Sequence, residues 1–286
     1  MKNFIISTEA ACDISETLIE KYDIRIVPMK YIVNNVEFQS NDKNFSTAQV
    51  CKFMKEGATT KTTQITELDA QEHFEKLLVE GKDILHLSFS GAMSSTAENF
   101  KRAASKLNEN SKNKIYTLDT LCQSGGLGLI VDMVASQSEK NNLTAKQAYE
   151  YADSVKLNIA HFFTVDDLKY LARGGRISSS AALIGNIIKI KPVLHLNNDG
   201  VIEQHQKVIS RKKALSVLIN RTIENWNKQY NTIFISHADA QIDAEYIAST
   251  IKQNYDVNIE IVPLCPVVCN HSGPGTIAIF FTSNSR

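Results

Sequence analysis

The sequence predicts an α/β protein of two domains, with a largely parallel sheet in the N-terminal domain and a mixed sheet in the C-terminal domain. In the first half, short runs rich in β-branched residues alternate with longer runs of helical periodicity, which is typical of βαβ units. In the second half, the turn Asn198-Asp199-Gly200 between two apolar runs indicates a β-hairpin, which adds antiparallel pairing. The 286 residues of the chain are enough for two cores of ordinary size.

The boundary between the domains is predicted near residue 160. It gives domains at 1–160 and 161–286, with a margin of about 10 residues. No segment rich in Pro, Gly or Ser marks this boundary. We therefore expect the two halves to pack closely, with elements exchanged between them where the packing requires it.

Periodicity places the individual elements. In the N-terminal half we predict strands at 3–7, 25–29, 84–88 and 114–118, and helices at 15–22, 68–80, 95–107, 123–139 and 144–158. In the C-terminal half we predict strands at 192–197, 201–207, 232–237, 257–263 and 275–281, and helices at 211–226 and 240–253. The apolar segment 181–190 is either a core helix or the lining of a long apolar cavity.

Composition excludes several classes of protein. Hydrophobic residues make up 43% of the chain and charged residues 22%, as in globular proteins, and the formal net charge is zero. We therefore expect no general attraction to nucleic acid or to an anionic membrane. The first apolar run is too short for a signal peptide and no run approaches a membrane span, so we expect a cytoplasmic protein without stable membrane insertion.

The five cysteines are odd in number, and their spacing fits no zinc pattern. We expect buried reduced thiols and no bound metal.

Two hydroxyl-rich turns are candidates for a binding site. Thr62 and Thr63 lie in a loop just before a helix that Thr66 is expected to cap, so they remain free to bind a ligand. Ser94 lies in a turn between a predicted strand and a predicted helix, where open α/β sheets bind ligands and where helix N-termini favour anions. The glycines are too few for a dinucleotide fingerprint or a phosphate loop. A small anion such as a carboxylate is the more economical ligand.

Basic residues and a histidine complete the set of candidates. Arg173 and Arg176 flank a pair of glycines, a placement that suits an anionic ligand or partner. His271 lies in the turn Asn270-His271-Ser272-Gly273-Pro274-Gly275-Thr276, where the glycines let the backbone approach a ligand closely. Aromatic residues do not interleave with the basic ones, so nucleic acid is not the expected partner.

No catalytic constellation emerges from these residues. A Gly-x-Ser-x-Gly motif is absent, and nothing in the sequence identifies a nucleophile for His271. Hydroxyls, an imidazole and arginines around an apolar interior describe a receptor for an amphipathic anion. The alternatives are a phosphotransferase or hydrolase that acts through His271 and Ser94, and a regulator that binds DNA through the basic segment 169–213.

Five motifs in register, over nearly the whole chain, resemble those of the DegV family of bacterial lipid-binding proteins. Residues 7–14 resemble the family's Thr-Asp-Ser-x-x-Asp-Leu, with departures at Glu9 and Ala10. Residues 62–66 resemble Thr-Ser-Gln-Pro-Ser without its proline, and residues 90–96 resemble Ser-Ser-x-Leu-Ser-Gly-Thr with Ser95 in place of the glycine. The other two motifs match closely, at 165–177 with 190–193 and at 271–275.

The resemblance implies a two-domain α/β fold with a long-chain fatty acid buried between the domains, as a ligand and not as a cofactor. It places the family's carboxylate-binding threonine and serine at Thr62 and Ser94, with Thr63 and His271 close by. A buried carboxylate favours nearby positive charge, so we expect Arg173 and Arg176 near this end of the ligand.

Several family members are the fatty-acid-binding subunits of a bacterial fatty acid kinase, and they present the carboxylate to a separate ATP-binding subunit. The resemblance therefore implies a lipid-binding protein that is not itself an enzyme, with such a kinase subunit as its partner. Arg211, together with Arg173 and Arg176, is expected to contact the partner or the mouth of the site. Where the family often reads Lys-Val-Arg-x-Arg, this chain has Ile209 in place of the first arginine.

Overall fold

The computed structural model describes residues 3–42, 45–177 and 190–286. The N-terminal half contains, in chain order, β1 (Phe4–Glu9), α1 (Glu16–Tyr22), β2 (Arg25–Val27), β3 (Lys30–Val33), β4 (Val36–Gln39), α2 (Thr47–Lys55), β5 (Thr60–Thr62), α3 (Glu67–Leu78), β6 (Asp83–Ser88), α4 (Thr96–Asn110), β7 (Ile115–Asp119), α5 (Gly125–Asn141) and α6 (Ala145–Val155). The C-terminal half contains β8 (Ile159–Thr164), α7 (Lys169–Arg173), β9 (Ile190–Leu196), β10 (Ile202–Ile209), α8 (Arg211–Asn225), β11 (Thr232–His237), α9 (Gln241–Lys252), β12 (Asn258–Pro263), α10 (Pro266–Ser272) and β13 (Ile277–Thr282).

The predicted fold class is confirmed. In the N-terminal half, β2-β1-β6-β7 form a sheet in which every pair is parallel. All six residues of β1 are buried, as expected for a parallel strand that is covered on both faces. In the C-terminal half, β10-β9-β8-β13-β11-β12 form a mixed sheet, in which β11 and β12 pair in parallel and the other neighbours are antiparallel.

The N-terminal half contains a second, smaller sheet that the sequence patterns did not predict. Its strands β4-β3-β5 are antiparallel and only three or four residues long, too short for a clear alternation of polar and apolar residues. Asn34 and Asn35, which join β3 to β4, both have positive φ, at 48° and 66°. Two consecutive asparagines with positive φ are typical of a tight hairpin turn, and this was the available signal. The sheet matters because β5 ends at Thr62.

Helix α5 joins the two halves through close backbone contact. It packs against β11 and β13 of the mixed sheet and against the turn at Ala10–Cys12 that follows β1. A Cβ atom added at Gly128 would lie 2.4 Å from the carbonyl oxygen of Cys12. The glycine thus allows the helix to touch the backbone of the preceding turn.

Asp13, at the end of that turn, also connects the halves. Its carboxylate accepts hydrogen bonds from the Ser124 hydroxyl and from the Cys265 backbone N–H, the latter at 2.6 Å. The predicted close packing of the halves is observed.

We retain the division into domains at 1–160 and 161–286 as a proposal. The predicted helix or cavity lining at 181–189 lies outside the described residues, and Ile190 begins β9.

Candidate functional site

A partly enclosed cavity of about 800 Å³ is lined by residues from both halves of the chain. Its apolar lining includes Phe89 and Met93 from the N-terminal half and Phe163, Leu171 and Phe280 from the C-terminal half. This volume lies within the range of roughly 300–1,000 Å³ that is usual for small-molecule sites. The cavity therefore offers a mainly apolar space for a molecule of moderate size.

Thr62 and His271 meet in the wall of this cavity. The Thr62 hydroxyl oxygen lies 2.8 Å from Nε2 of His271, and the imidazole tautomer decides which of the two donates. Thr62 ends β5, and His271 lies in the last turn of α10, which packs against β5, α2 and α7. Asn270 supports this contact because its side-chain amide donates to the carbonyl oxygen of Lys61 at 3.3 Å.

Close approach by glycines positions the imidazole. A Cβ at Gly174 would lie 2.3 Å from Nδ1 of His271, and one at Gly273 would lie 2.2 Å from the ring of Tyr170. Gly273 also has a φ of 85°, which disfavours any other residue. The Arg-Gly-Gly-Arg segment and the Gly-Pro-Gly turn, both found in the sequence, therefore pack against each other at the site.

His271 is neutral at pH 7 in this environment. Burial, together with the guanidinium groups of Arg176 and Arg173, lowers the pKa of His271 to about 4. A neutral imidazole carries one N–H donor and one acceptor nitrogen. The positive charge of the site therefore comes from the arginines.

Arg173 and Arg176 both line the cavity. Their role at a carboxylate stays a prediction. Arg173 is exposed and donates to the hydroxyl of Thr60 at 2.9 Å. Arg176 is half-buried and donates to the carbonyl oxygens of Gly174 and Met93, the latter at 2.9 Å. At least one guanidinium at this end of the cavity is thus accessible to solvent.

Ser94 and Thr63 also line the cavity, each with local partners. The Ser94 hydroxyl lies 2.9 Å from that of Thr96 and accepts a hydrogen bond from the Thr96 backbone N–H at 3.3 Å. Thr63 is exposed, and its hydroxyl makes a long contact of 3.5 Å with the carbonyl oxygen of Lys30. Thr66 caps α3 as predicted, since its hydroxyl accepts from the backbone N–H of Asp69.

Two of the expected arrangements are not found in the described part of the chain. Arg211 does not line the cavity; its guanidinium binds the Asp243 carboxylate at 2.7 Å and approaches Asp166 at 3.8 Å. Its contact with a partner remains a prediction. No hydrogen bond joins Ser94 to His271 among the described residues, so the pair needed by the phosphotransferase or hydrolase alternative is not assembled.

Several residues of the cavity were not found from the sequence. Gln123, Ser124 and His161 add polar atoms to the lining. His161 lies in β8, which was not predicted as a strand because its continuous apolar run lacks alternation. Tyr170 and Ser272 lie within the motifs at 165–177 and 271–275 but were assigned no role from the sequence, and both line the cavity.

The five cysteines are free and buried, as expected for thiols. The Sγ atoms of Cys51 in α2 and Cys269 in α10 are 3.3 Å apart. In the described ranges, no three or more His, Cys, Asp or Glu side chains are grouped to hold a metal ion. No described helix is both long enough and apolar enough to cross a membrane.

The two α/β halves enclose a mainly apolar cavity, and Thr62, His271 and the two arginines lie together in its wall. This arrangement is typical of a class of proteins that hold an amphipathic molecule. The sequence profile of the DegV family, described as uncharacterised proteins, matches residues 3–284. A DegV domain-containing protein of Clostridium perfringens is 34% identical to this chain over 292 aligned positions, covering 100% of this chain and 99% of the relative. The chain belongs to the DegV family.

Two further similarities concern proteins whose ligand is named. A fatty acid-binding protein of Thermotoga maritima is 27% identical to this chain, and the alignment covers 95% of each protein. The crystal structure of a fatty acid binding DegV family protein from Streptococcus agalactiae superposes with a TM-score of 0.84 at 25% identity, covering 100% of both chains. The fold of this chain is therefore the DegV fold.

Proposed function

We propose that this protein binds a long-chain fatty acid in the cavity, with the carboxylate at the end formed by Thr62, Ser94 and His271. The observation that carries the proposal is the apolar cavity of about 800 Å³, whose polar end contains hydroxyls, a neutral imidazole and two arginines. The relatives from T. maritima and S. agalactiae, which are named for fatty acid binding, support it.

The energetics favour such a ligand. Burial of the acyl chain contributes about 0.8 kcal/mol per CH₂ group before the cost of ordering. A buried carboxylate without partners would cancel much of this gain, so donors are needed at its end of the cavity. Thr62, Thr63 and Ser94 supply hydroxyls, and Arg173 and Arg176 supply positive charge.

Bound lipid is the first expected result. Protein purified from cells, then denatured and extracted, is expected to release a fatty acid of roughly 14 to 18 carbons, a length whose CH₂ burial outweighs the cost of ordering. Mass spectrometry of the extract identifies it, and an unrelated protein purified in parallel serves as the control. The proposal would be refuted by an empty cavity combined with no binding of added palmitate or oleate.

We also propose that the protein presents the carboxylate to a separate ATP-binding kinase subunit, which converts it to an acyl phosphate. Arg173 supports this proposal because it is exposed and lies at the polar end of the cavity. An acyl phosphate carries more negative charge than a carboxylate, so an accessible guanidinium would assist its formation.

The variant Arg173→Ala separates binding from presentation. Arg173 is exposed, so water screens its charge, and the half-buried Arg176 remains to offset the carboxylate. We therefore expect fatty-acid affinity to stay within about fivefold, while acyl phosphate formation with the kinase subunit and ATP falls at least roughly tenfold. Arg221→Ala, which removes a surface arginine paired with Glu224 in α8, is the control and should change neither property. Loss of lipid from a folded Arg173→Ala protein would show that this arginine anchors the ligand, and no effect on either property would remove it from the mechanism.

A further inference from the structure

Ser272, the last residue of α10, has a buried hydroxyl without a partner. The residue is 6% exposed, and its Oγ has no hydrogen bond within the described part of the chain. Ser272 nevertheless lines the cavity, directly after His271 in the sequence. Native proteins leave few buried polar groups unsatisfied, so each such group requires an explanation.

The neighbouring hydroxyls of the cavity differ from Ser272 because they already have partners. Thr62 is bonded to His271, Ser94 to Thr96 and Ser124 to Asp13. Two other buried hydroxyls, those of Ser88 and Thr282, lack partners among the described residues, but neither residue lines the cavity. Of these three hydroxyls, that of Ser272 is therefore the one that belongs to a residue of the cavity wall.

The position of Ser272 suits a negatively charged group. It lines the same cavity as His271, whose pKa is lowered first by burial and then by the nearby Arg176 and Arg173. The C-terminal end of a helix carries a small negative partial charge, which these arginines offset. In that setting a hydroxyl donor can hold an anionic oxygen, and the Ser272 hydroxyl has no existing hydrogen bond among the described residues to break.

We infer that the Ser272 hydroxyl donates a hydrogen bond to the ligand's carboxylate and makes the site selective for the free acid over its esters. This inference rests on the proposed function and adds a residue that binds the carboxylate directly. An ester lacks the negative charge that strengthens such a hydrogen bond. Loss of the hydroxyl should therefore affect binding of the acid much more than binding of the ester.

The test compares Ser272→Ala with Ser88→Ala, both as delipidated full-length proteins. Ser88 is the matched control because its hydroxyl is also buried and unpartnered among the described residues but does not line the cavity. Binding of palmitate and of methyl palmitate is measured by displacement of a fluorescent fatty acid. We expect Ser272→Ala to lose roughly 10- to 100-fold in affinity for palmitate and less than about threefold for the ester, with no change for Ser88→Ala.

Stability provides the second readout. Removal of an unpartnered hydroxyl should leave the unfolding midpoint of the lipid-free protein unchanged or higher, while the shift caused by palmitate becomes smaller. Unchanged palmitate affinity in Ser272→Ala, equal losses for acid and ester, or failure of the variant to fold would each overturn the inference. Wild-type protein that binds no palmitate would instead overturn the proposed function, and this inference with it.

Discussion

Replacement of Thr62 by valine is expected to lower the affinity for a long-chain fatty acid by roughly 10- to 100-fold, the usual loss for a hydrogen bond to a charged group. Valine keeps the shape of threonine and removes only its hydroxyl. That hydroxyl is bonded to Nε2 of His271 at 2.8 Å and is the proposed donor to the carboxylate. The variant therefore loses a contact to the ligand and the partner that fixes the imidazole. Displacement titration of delipidated protein measures the effect.

Thr282→Val is the matched control for this substitution. Thr282 is buried in β13, its hydroxyl has no partner in the described ranges, and it does not line the cavity. We expect fatty-acid affinity and stability to remain at or slightly above wild-type values. If Thr62→Val bound palmitate as tightly as Thr282→Val does, the carboxylate would have to be held elsewhere.

Replacement of Gly128 by alanine is expected to destabilise the protein by about 2 kcal/mol or more. In an ordinary helix the same change would stabilise by up to about 1 kcal/mol. Here the new Cβ would lie 2.4 Å from the backbone oxygen of Cys12 and 3.1 Å from the ring of Phe234. A backbone atom cannot move aside as a flexible side chain can, so overpacking exceeds the gain in helix propensity. Urea denaturation of the lipid-free protein measures the change.

Glu139→Ala, in the exposed part of the same helix, should change the free energy of unfolding by no more than about 0.5 kcal/mol. An increase in stability for Gly128→Ala would contradict the close approach of α5 to the turn after β1. Both substitutions place alanine in the same helix, so the difference between them reports the close contact between Gly128 and the backbone of Cys12.

The long elements of the fold were predictable because their periodicity reflects burial. This holds for the four strands of the parallel sheet and for the helices that flank them, whose apolar residues recur with the period of the element. The missed elements are short or lack alternation. β8 is buried along its whole length, and α10 has only seven residues, beginning with Pro266. Their positions are decided by tertiary packing and not by local pattern.

The site was predictable in its residue types and not in its contacts. The hydroxyls at Thr62 and Ser94 stood out at the ends of elements, and the resemblance to the DegV family assigned them a role. The bond between Thr62 and His271 spans 209 positions of the chain, and no local signal encodes it. Nor can the sequence reveal that the hydroxyl of Ser272 is left without a partner, because this depends on where every neighbouring donor and acceptor lies.

The contact between Thr62 and His271 has a consequence for biosynthesis. Residues of the N-terminal half are synthesised first, and domains generally begin to fold in that order. The parallel sheet can therefore form while the ribosome has yet to produce α10, which supplies His271 and packs against α2 and β5. A nascent chain at that stage lacks His271, which lines the cavity beside Thr62. Loading of the proposed lipid is therefore expected to follow translation of α10.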